Sequence, residues 1–328
     1  MSNQIKIAIA GYGNLGRGVE SAIAQNTDMQ LVGVFSRRDP ASVKLLNQNV
    51  PVYAMDDIEQ HQSAVDVMIL CGGSKTDLPE QSPYLAQFFN TVDSFDTHAK
   101  VNEHFDALDA AARKSGKVAM LSVGWDPGLF SLNRMFGETV LSEGETYTFW
   151  GKGLSQGHSD AVRRVAGVEF AVQYTLPSEA AIARVRAGEQ PTLTTREKHT
   201  RECYVVLAEG ANADEVRTSI VTMPDYFADY DTQVHFIDKA TFDTEHTKMP
   251  HGGFVIRSGV TGNGNKQTIE YSLALGSNPE FTASVLVAYA RAVHKLAMAG
   301  EVGAKTVFDV PPGLLSPKSP AQLRKDLL

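Results

Sequence analysis

The sequence predicts an α/β chain, a doubly wound parallel sheet followed by a second, α+β domain. Unbroken apolar runs alternate with helical patterns over residues 1–122. After Gly124 the segments lengthen, gain aromatic and β-branched residues, and are separated by Gly- and Asn-containing turns. The length, 328 residues, suits about two domains.

Residues 4–10, 29–36 and 65–71 are short apolar runs without alternation, as strands buried on both faces require. Residues 16–25, 56–61 and 84–89 carry helical patterns between and after them. Residues 105–114 are rich in helix formers, stop at Gly116 and lead into an apolar strand over 117–123. Such alternation implies right-handed βαβ units. Residues 146–150, 203–208, 231–237, 253–258 and 267–275 read as longer antiparallel strands. Residues 281–299 form an Ala-rich helix expected to pack back on the first domain, and the Pro-rich stretch 310–320 a surface strap. The expected divisions are 1–122, 123–280 and 281–328.

Hydrophobic residues make up 43% and charged residues 21%, with 27 Gly and 14 Pro scattered along the chain, which excludes disordered, collagen-like and coiled-coil classes. Thirty Lys and Arg against 38 Asp and Glu leave a net charge of −8, so nucleic acid and anionic membranes meet net repulsion. Cys71 and Cys203 form no zinc spacing and suit a reduced, cytoplasmic setting. The apolar run 5–10 is too short for a signal-peptide core and lacks a basic leader, and no run of about 20 apolar residues occurs.

Gly11-Tyr12-Gly13-Asn14-Leu15-Gly16 leaves the first strand and opens a helix, the context of a dinucleotide fingerprint in a Rossmann-type sheet. A glycine turn without a ligand is the bland alternative. Where an acid would hold the ribose of NAD, the chain has Ser36-Arg37-Arg38-Asp39. Two guanidinium groups and a hydroxyl suit a 2′-phosphate, so NADP is the expected cofactor. The competing reading has both arginines solvating a loop while Asp39 takes the ribose. Leu70-Cys71-Gly72-Gly73 brings bare backbone to the same sheet edge, or makes a plain turn. Cys71 has no activating neighbour and reads as a small filler.

The next two strand exits carry Val92-Asp93-Ser94-Phe95-Asp96 and Val123-Gly124-Trp125-Asp126-Pro127-Gly128, at the edge where such sheets place ligands. Asp93 favours a structural role, while Asp96 and Asp126 favour a functional one.

The motifs GYGNLGR, FSRR, TVDSFDTH, VGWDPG, FWGKGLSQGHSD, QYTLPSE, TMPDYF, MPHGG and NPEFTAS together resemble the meso-diaminopimelate dehydrogenase family over nearly the whole chain. One departure is Cys71-Gly72-Gly73, where the family often has a bulkier residue after the Cys. The resemblance implies a homodimer and reversible NADP-dependent oxidative deamination of meso-2,6-diaminopimelate to L-2-amino-6-oxopimelate, ammonia and NADPH, in lysine biosynthesis. It also implies that the second domain binds substrate and dimerises. The dinucleotide is then expected against Gly11 to Gly16, Ser36 to Arg38, Leu70 to Gly73 and Ser94, Phe95 and Asp96, with Val123, Gly124, Trp125, Asp126 and Pro127 closing around the nicotinamide. Substrate is expected at Asp96, Asp126, Trp150, Gln156, Gly157, Thr175, Arg201, His251 and Asn278.

This substrate carries two ammonium and two carboxylate groups. Arg201 can clasp a carboxylate in bidentate fashion, with Thr175, His251 and Asn278 supplying short-range donors and acceptors. Asp96 suits the reacting amine as binder and base, with Asp126 assisting or activating water. Gly153-Leu154-Ser155-Gln156-Gly157 offers backbone N–H groups to a carboxylate, or a hinge. Structural readings stand beside these: a loop histidine for His251, a surface ion pair for Arg201 and core aromatics for Trp125 and Trp150. The competing functions are another two-domain NADP-dependent dehydrogenase, a D-amino acid dehydrogenase and a non-catalytic NADP-binding regulator. Sugar oxidoreductases of similar layout carry Glu-Lys-Pro where this chain has Asp93 to His98, and neither Cys is activated for acylation.

Overall fold

The computed structural model describes residues 4–328 in two units, one made of the described residues up to Leu132 together with Pro279–Leu328, the other of Asn133–Asn278. In the first unit β1 (Ile5–Ala10), β2 (Met29–Ser36), β3 (Val52–Ala54), β4 (Val67–Leu70), β5 (Asn90–Asp93) and β6 (Val118–Met120) lie in one sheet, which the late strand β14 (Gly303–Lys305) completes. The order is β14-β6-β5-β4-β1-β2-β3, with every pairing parallel. The order reverses between β1 and β4, the switch point at which such sheets bind ligands.

Successive strand residues face opposite sides, which explains the unbroken apolar runs. Ile5, Ile7 and Ile9 join a core with Leu286, Tyr289 and Val293 of the helix Asn278–Met298, while Ala8 and Ala10 join a core with Phe35, Leu78 and Phe89. The helix Val101–Ser115 ends at Gly116, whose φ of +68° forms the left-handed cap that glycine favours. Two helical expectations shift. Residues 56–61 belong to a 3-10 stretch, Met55–Ala64, and the helix expected over 84–89 lies at Leu78–Leu85, where Pro79 suits the first turn. Arg291, buried in the long helix, grips Asp28 and donates to the Leu315 carbonyl, and Lys295 donates to the carbonyls of Leu314 and Ser316. These bonds clasp the strap, and the helix Pro320–Leu327 follows it.

In the second unit β7 (Glu143–Trp150), β8 (Gly153–Leu154), β9 (Val168–Pro177), β10 (His199–Leu207), β11 (Asp231–Phe236), β12 (His251–Thr261) and β13 (Asn265–Leu275) form two sheets, β11-β10-β9-β8 and β13-β12-β7. The expectation of antiparallel strands fails at one place, since β10 and β11 are parallel. The helix Ala213–Val221 lies between them in sequence, the crossover that a parallel pair requires. Strand β9 was absent from the predicted elements although Val172, Tyr174 and Leu176 alternate with Gln173 and Thr175; its residues Ala171 to Thr175 are all buried.

Candidate active site

In the first unit the glycine loop, Ser36, Arg37, Arg38, Cys71 and Gly72 line one cavity of about 360 Å3. Each glycine of the fingerprint has a distinct geometric reason. Gly11 has a φ of +94°, a Cβ at Gly16 would lie 2.3 Å from the Gly11 carbonyl oxygen, and a Cβ at Gly13 would meet nothing within 4 Å. Gly11 and Gly16 are therefore closed to larger residues, and Gly13 leaves open space in front of the helix Asn14–Ala24. Tyr12 turns its ring inward, where its hydroxyl donates to buried Glu20, and burial and that carboxylate push its pKa up to about 12. Arg38 donates to the Tyr12 carbonyl at 2.6 Å, and its own N–H donates to Ser36 Oγ at 3.0 Å. Asp39 accepts from the Ala41 N–H at 3.0 Å, capping a short turn.

The remaining expected coenzyme residues divide. Leu15, Leu70, Phe95 and Val123 turn their side chains into the cores, so only their backbone can face a ligand. Cys71 also packs against the core, and burial pushes its thiol up, the opposite of an activated thiolate. Sequence reasoning missed Arg17, Met55, Asp77 and Gln81, which line the same cavity. Arg17 directly follows the glycine fingerprint and ends the GYGNLGR motif; no short motif marks the other three, and the fold alone brings them there.

Asp93 is structural. Buried at the end of β5, it accepts from Ser82 Oγ, the Phe95 N–H and the Ser122 N–H, and its Oδ2 lies 2.9 Å from His104 Nε2. Asp96 is exposed, its backbone N–H tied to Ser74 Oγ at 2.8 Å. Asp126 is half-buried in the turn before the helix Leu129–Val140, and Trp125 packs edge-on against Phe130, as a core aromatic does.

In the second unit Arg201 of β10 lies opposite Thr175 of β9, which lies opposite Gly153 of β8. Arg201 is 5% exposed and donates from Nη1 to Thr175 Oγ1 at 2.7 Å. Its guanidinium stacks 3.8 Å from the centre of the Tyr230 ring, and its buried Nε has no partner. The surface-ion-pair reading is therefore wrong, because this cation is buried and, among the described residues, has no carboxylate beside it. Gly153 matters for a different reason from the expected one: a Cβ there would lie 2.4 Å from His251 Nδ1. The 153–157 stretch is not an irregular loop. It is β8 followed by the start of the helix Gln156–Arg163, and the N–H groups of Leu154 and Ser155 already serve the carbonyls of Pro250 and Gln173. Gly157 lies in that helix's first turn with open space around it. Gln156 Nε2 lies 3.0 Å from Met249 Sδ, and the Asn278 N–H donates to the Met249 carbonyl, so Met249, absent from the expected set, brings Gln156 and Asn278 together next to His251.

Two further histidines were missed. His199 Nε2 accepts from the Trp150 N–H at 2.8 Å and its ring stacks on the indole, which is 37% exposed. His158 Nδ1 is 2.8 Å from Ser155 Oγ. Burial first, then nearby cations including Arg201, push both imidazoles down to about 4. The unfolded chain takes up these protons below about pH 6.5, whereas the folded chain declines them down to about pH 4. The stability they contribute is complete above pH 6.5 and is lost as pH falls through this window, by about 3 kcal/mol for His199 and less for the half-buried His158. Urea midpoints at pH 7, 5.5 and 4.5 should fall accordingly, with a shallower fall in His199→Gln; identical slopes for the two proteins would contradict the assignment.

Residues 124–277 match the family described as the diaminopimelic acid dehydrogenase C-terminal domain. The meso-diaminopimelate D-dehydrogenase of Lysinibacillus sphaericus is 68% identical over 324 residues, 99% of each chain. The structure of C. glutamicum DAP dehydrogenase in complex with DAP is similar with a TM-score of 0.91 and 51% identity, covering 100% of both chains. An engineered D-amino acid dehydrogenase bound to NADP+ is similar with a TM-score of 0.86 and 49% identity, over 99% of this chain and 100% of the other. The chain belongs to the meso-diaminopimelate D-dehydrogenase family.

Proposed function

We propose that this chain catalyses the NADP-dependent, reversible oxidative deamination of the D-centre of meso-2,6-diaminopimelate, yielding L-2-amino-6-oxopimelate, ammonia and NADPH, in lysine biosynthesis. The observation that carries the reading is Arg201: a buried cation with no carboxylate neighbour among the described residues, beside a serviceable Thr175 hydroxyl, calls for an anionic ligand. The cavity at Gly13 fits the cofactor, since its open space meets a helix N-terminus and its rim carries Ser36, Arg37 and Arg38. Bound there, NADP+ supplies the hydride acceptor.

The chain's own residues then divide the work. Arg201 and Thr175 hold the carboxylate of the non-reacting L-end, with His251 and Asn278 completing that grip, while Trp150, Gln156 and Gly157 bound the rest of the molecule. A molecule held by its L-end presents its D-carbon for reaction. Asp96 binds the D-end ammonium and takes its proton, without which hydride cannot leave the α-carbon. Asp126 assists, or activates the water that attacks the resulting imine.

The protein is proposed to be a cytoplasmic homodimer. Strand β13 supports self-association, being a long, largely exposed edge strand with Ile269 at 37% exposure. Among the described residues, no helix is long and apolar enough to cross a membrane. Sedimentation at micromolar concentration measures the assembly directly.

The functional test follows NADPH formation with meso-, L,L- and D,D-diaminopimelate and with D-alanine. Turnover confined to the meso isomer is expected, and equal use of D-alanine would indicate a general D-amino acid dehydrogenase. In the double variant Arg37→Ala/Arg38→Ala, NADP binding should weaken by roughly 1.5–3 kcal/mol per lost charged hydrogen bond. Equal weakening of NAD would reject the phosphate assignment.

A further inference from the structure

Asp77 has no counterpart in a dinucleotide fingerprint, yet its carboxylate is heavily engaged in the coenzyme cavity. Its two oxygens accept from Arg37 Nη1 and Nη2 at 3.0 and 3.1 Å, and Oδ2 also accepts from the Gly73 N–H at 2.8 Å. The Arg37 side chain is 70% exposed and that of Asp77 18%. At such exposure an ion pair contributes little to stability. Its consequence is geometric: a guanidinium on a long exposed stem otherwise samples many rotamers, and this two-pronged pair holds it in one. The remaining N–H groups of the same rigid plane face away from Asp77 and stay available to another acceptor.

Asp77 is itself held firmly. It precedes the helix Leu78–Leu85, and its N–H donates to the Gly73 carbonyl at 2.8 Å. A Cβ at Gly72 would lie 2.8 Å from Asp77 Cβ, so the glycine after Cys71 is what lets this acid approach. The Gly73 N–H and Arg37 hold its carboxyl below the usual carboxylate range, keeping it charged. The exits of β2 and β4 are thus tied together through one carboxylate.

We propose that Asp77 is the positioning residue for coenzyme selectivity, aiming Arg37 at the 2′-phosphate through the paired hydrogen bonds between them. The inference rests on the NADP reading above. NAD+ carries a hydroxyl at that place and makes no demand on Arg37, so the effect of Asp77 is specific to the phosphorylated coenzyme.

The test measures KM for NADP+ and for NAD+ in the wild type, Asp77→Asn, Asp77→Glu, Arg37→Ala and the Asp77→Asn/Arg37→Ala double variant. Asn keeps an acceptor for the Gly73 N–H and loses the charged fork. Its KM for NADP+ should rise about three- to tenfold, the range expected when one immobilised long side chain is released, while its KM for NAD+ stays within about twofold. Asp77→Glu should restore part of the loss, and in the Arg37→Ala background Asp77→Asn should change nothing further. An equal rise for both coenzymes would assign Asp77 only to loop shape, and an unchanged or lower KM for NADP+ would mean that it does not aim Arg37; either overturns the proposal. A wild type without preference for NADP+ would overturn the NADP reading as well, and that measurement involves no variant.

Discussion

Replacing Arg201 by Met is expected to raise the KM for meso-diaminopimelate by about a hundredfold and, in the same protein, to raise the melting temperature by a few degrees. The two effects share one cause. The guanidinium is 5% exposed, its Nε has no partner, and its compensation is one bond to Thr175 and the face of Tyr230. Burial accordingly pushes its pKa down. Replacing even a paired buried charge and its partner by apolar residues of similar volume often stabilises by about 1–4 kcal/mol; a cation buried with no carboxylate beside it has less Coulombic attraction to lose, and the lost cation–π contact takes back up to about 2 kcal/mol. Ligand binding moves the other way, because truncating one partner of a buried charge pair costs roughly 2–5 kcal/mol. Thermal melts and steady-state kinetics on the same preparation check both. A lower melting temperature with unchanged KM would show that Arg201 serves the fold and not the substrate.

Asp96→Asn is expected to lower the rate of turnover by about 10²- to 10⁴-fold, the usual contribution of a positioned base, while the KM for NADP stays near that of the wild type. The backbone tie from the Asp96 N–H to Ser74 Oγ does not involve the carboxyl, so the loop geometry should survive the change. An amide of the same shape cannot take the ammonium proton. The lost base lowers kcat, and kcat/KM falls further because the D-end ammonium also loses the carboxylate that binds it. Near-normal turnover would remove Asp96 as the base and leave Asp126 as the candidate. Comparing pH–rate profiles of Asp96→Asn and Asp126→Asn then separates proton removal from water activation.

What could be read from the chain alone was the chemistry contained in short segments. The glycine loop, the Ser36-Arg37-Arg38 exit and the cap at Gly116 each depend on residues a few positions apart, so their spacing carries the geometry. Five of the first sheet's seven strands were legible because strands buried on both faces need uninterrupted apolar runs, whereas β3 and β14, three residues each, are too short to show one. Strand β9 escaped although Val172, Tyr174 and Leu176 alternate with Gln173 and Thr175; the burial of both polar residues comes from its place in the fold and not from residue type.

Tertiary structure decided which distant groups meet. Thr175 and Arg201 touch because β9 and β10 pair in one register, and a one-residue slip would send each side chain to the other face. Asp77 reaches Arg37 across 40 positions, and His199 reaches Trp150 across 49. Whether an acid is a structural anchor like Asp93 or an exposed group like Asp96 depends on the donors that surround it after folding. Residue type and local spacing determine what a side chain can do; burial and long-range pairing determine which partner it has, and neither is encoded within a short window of sequence.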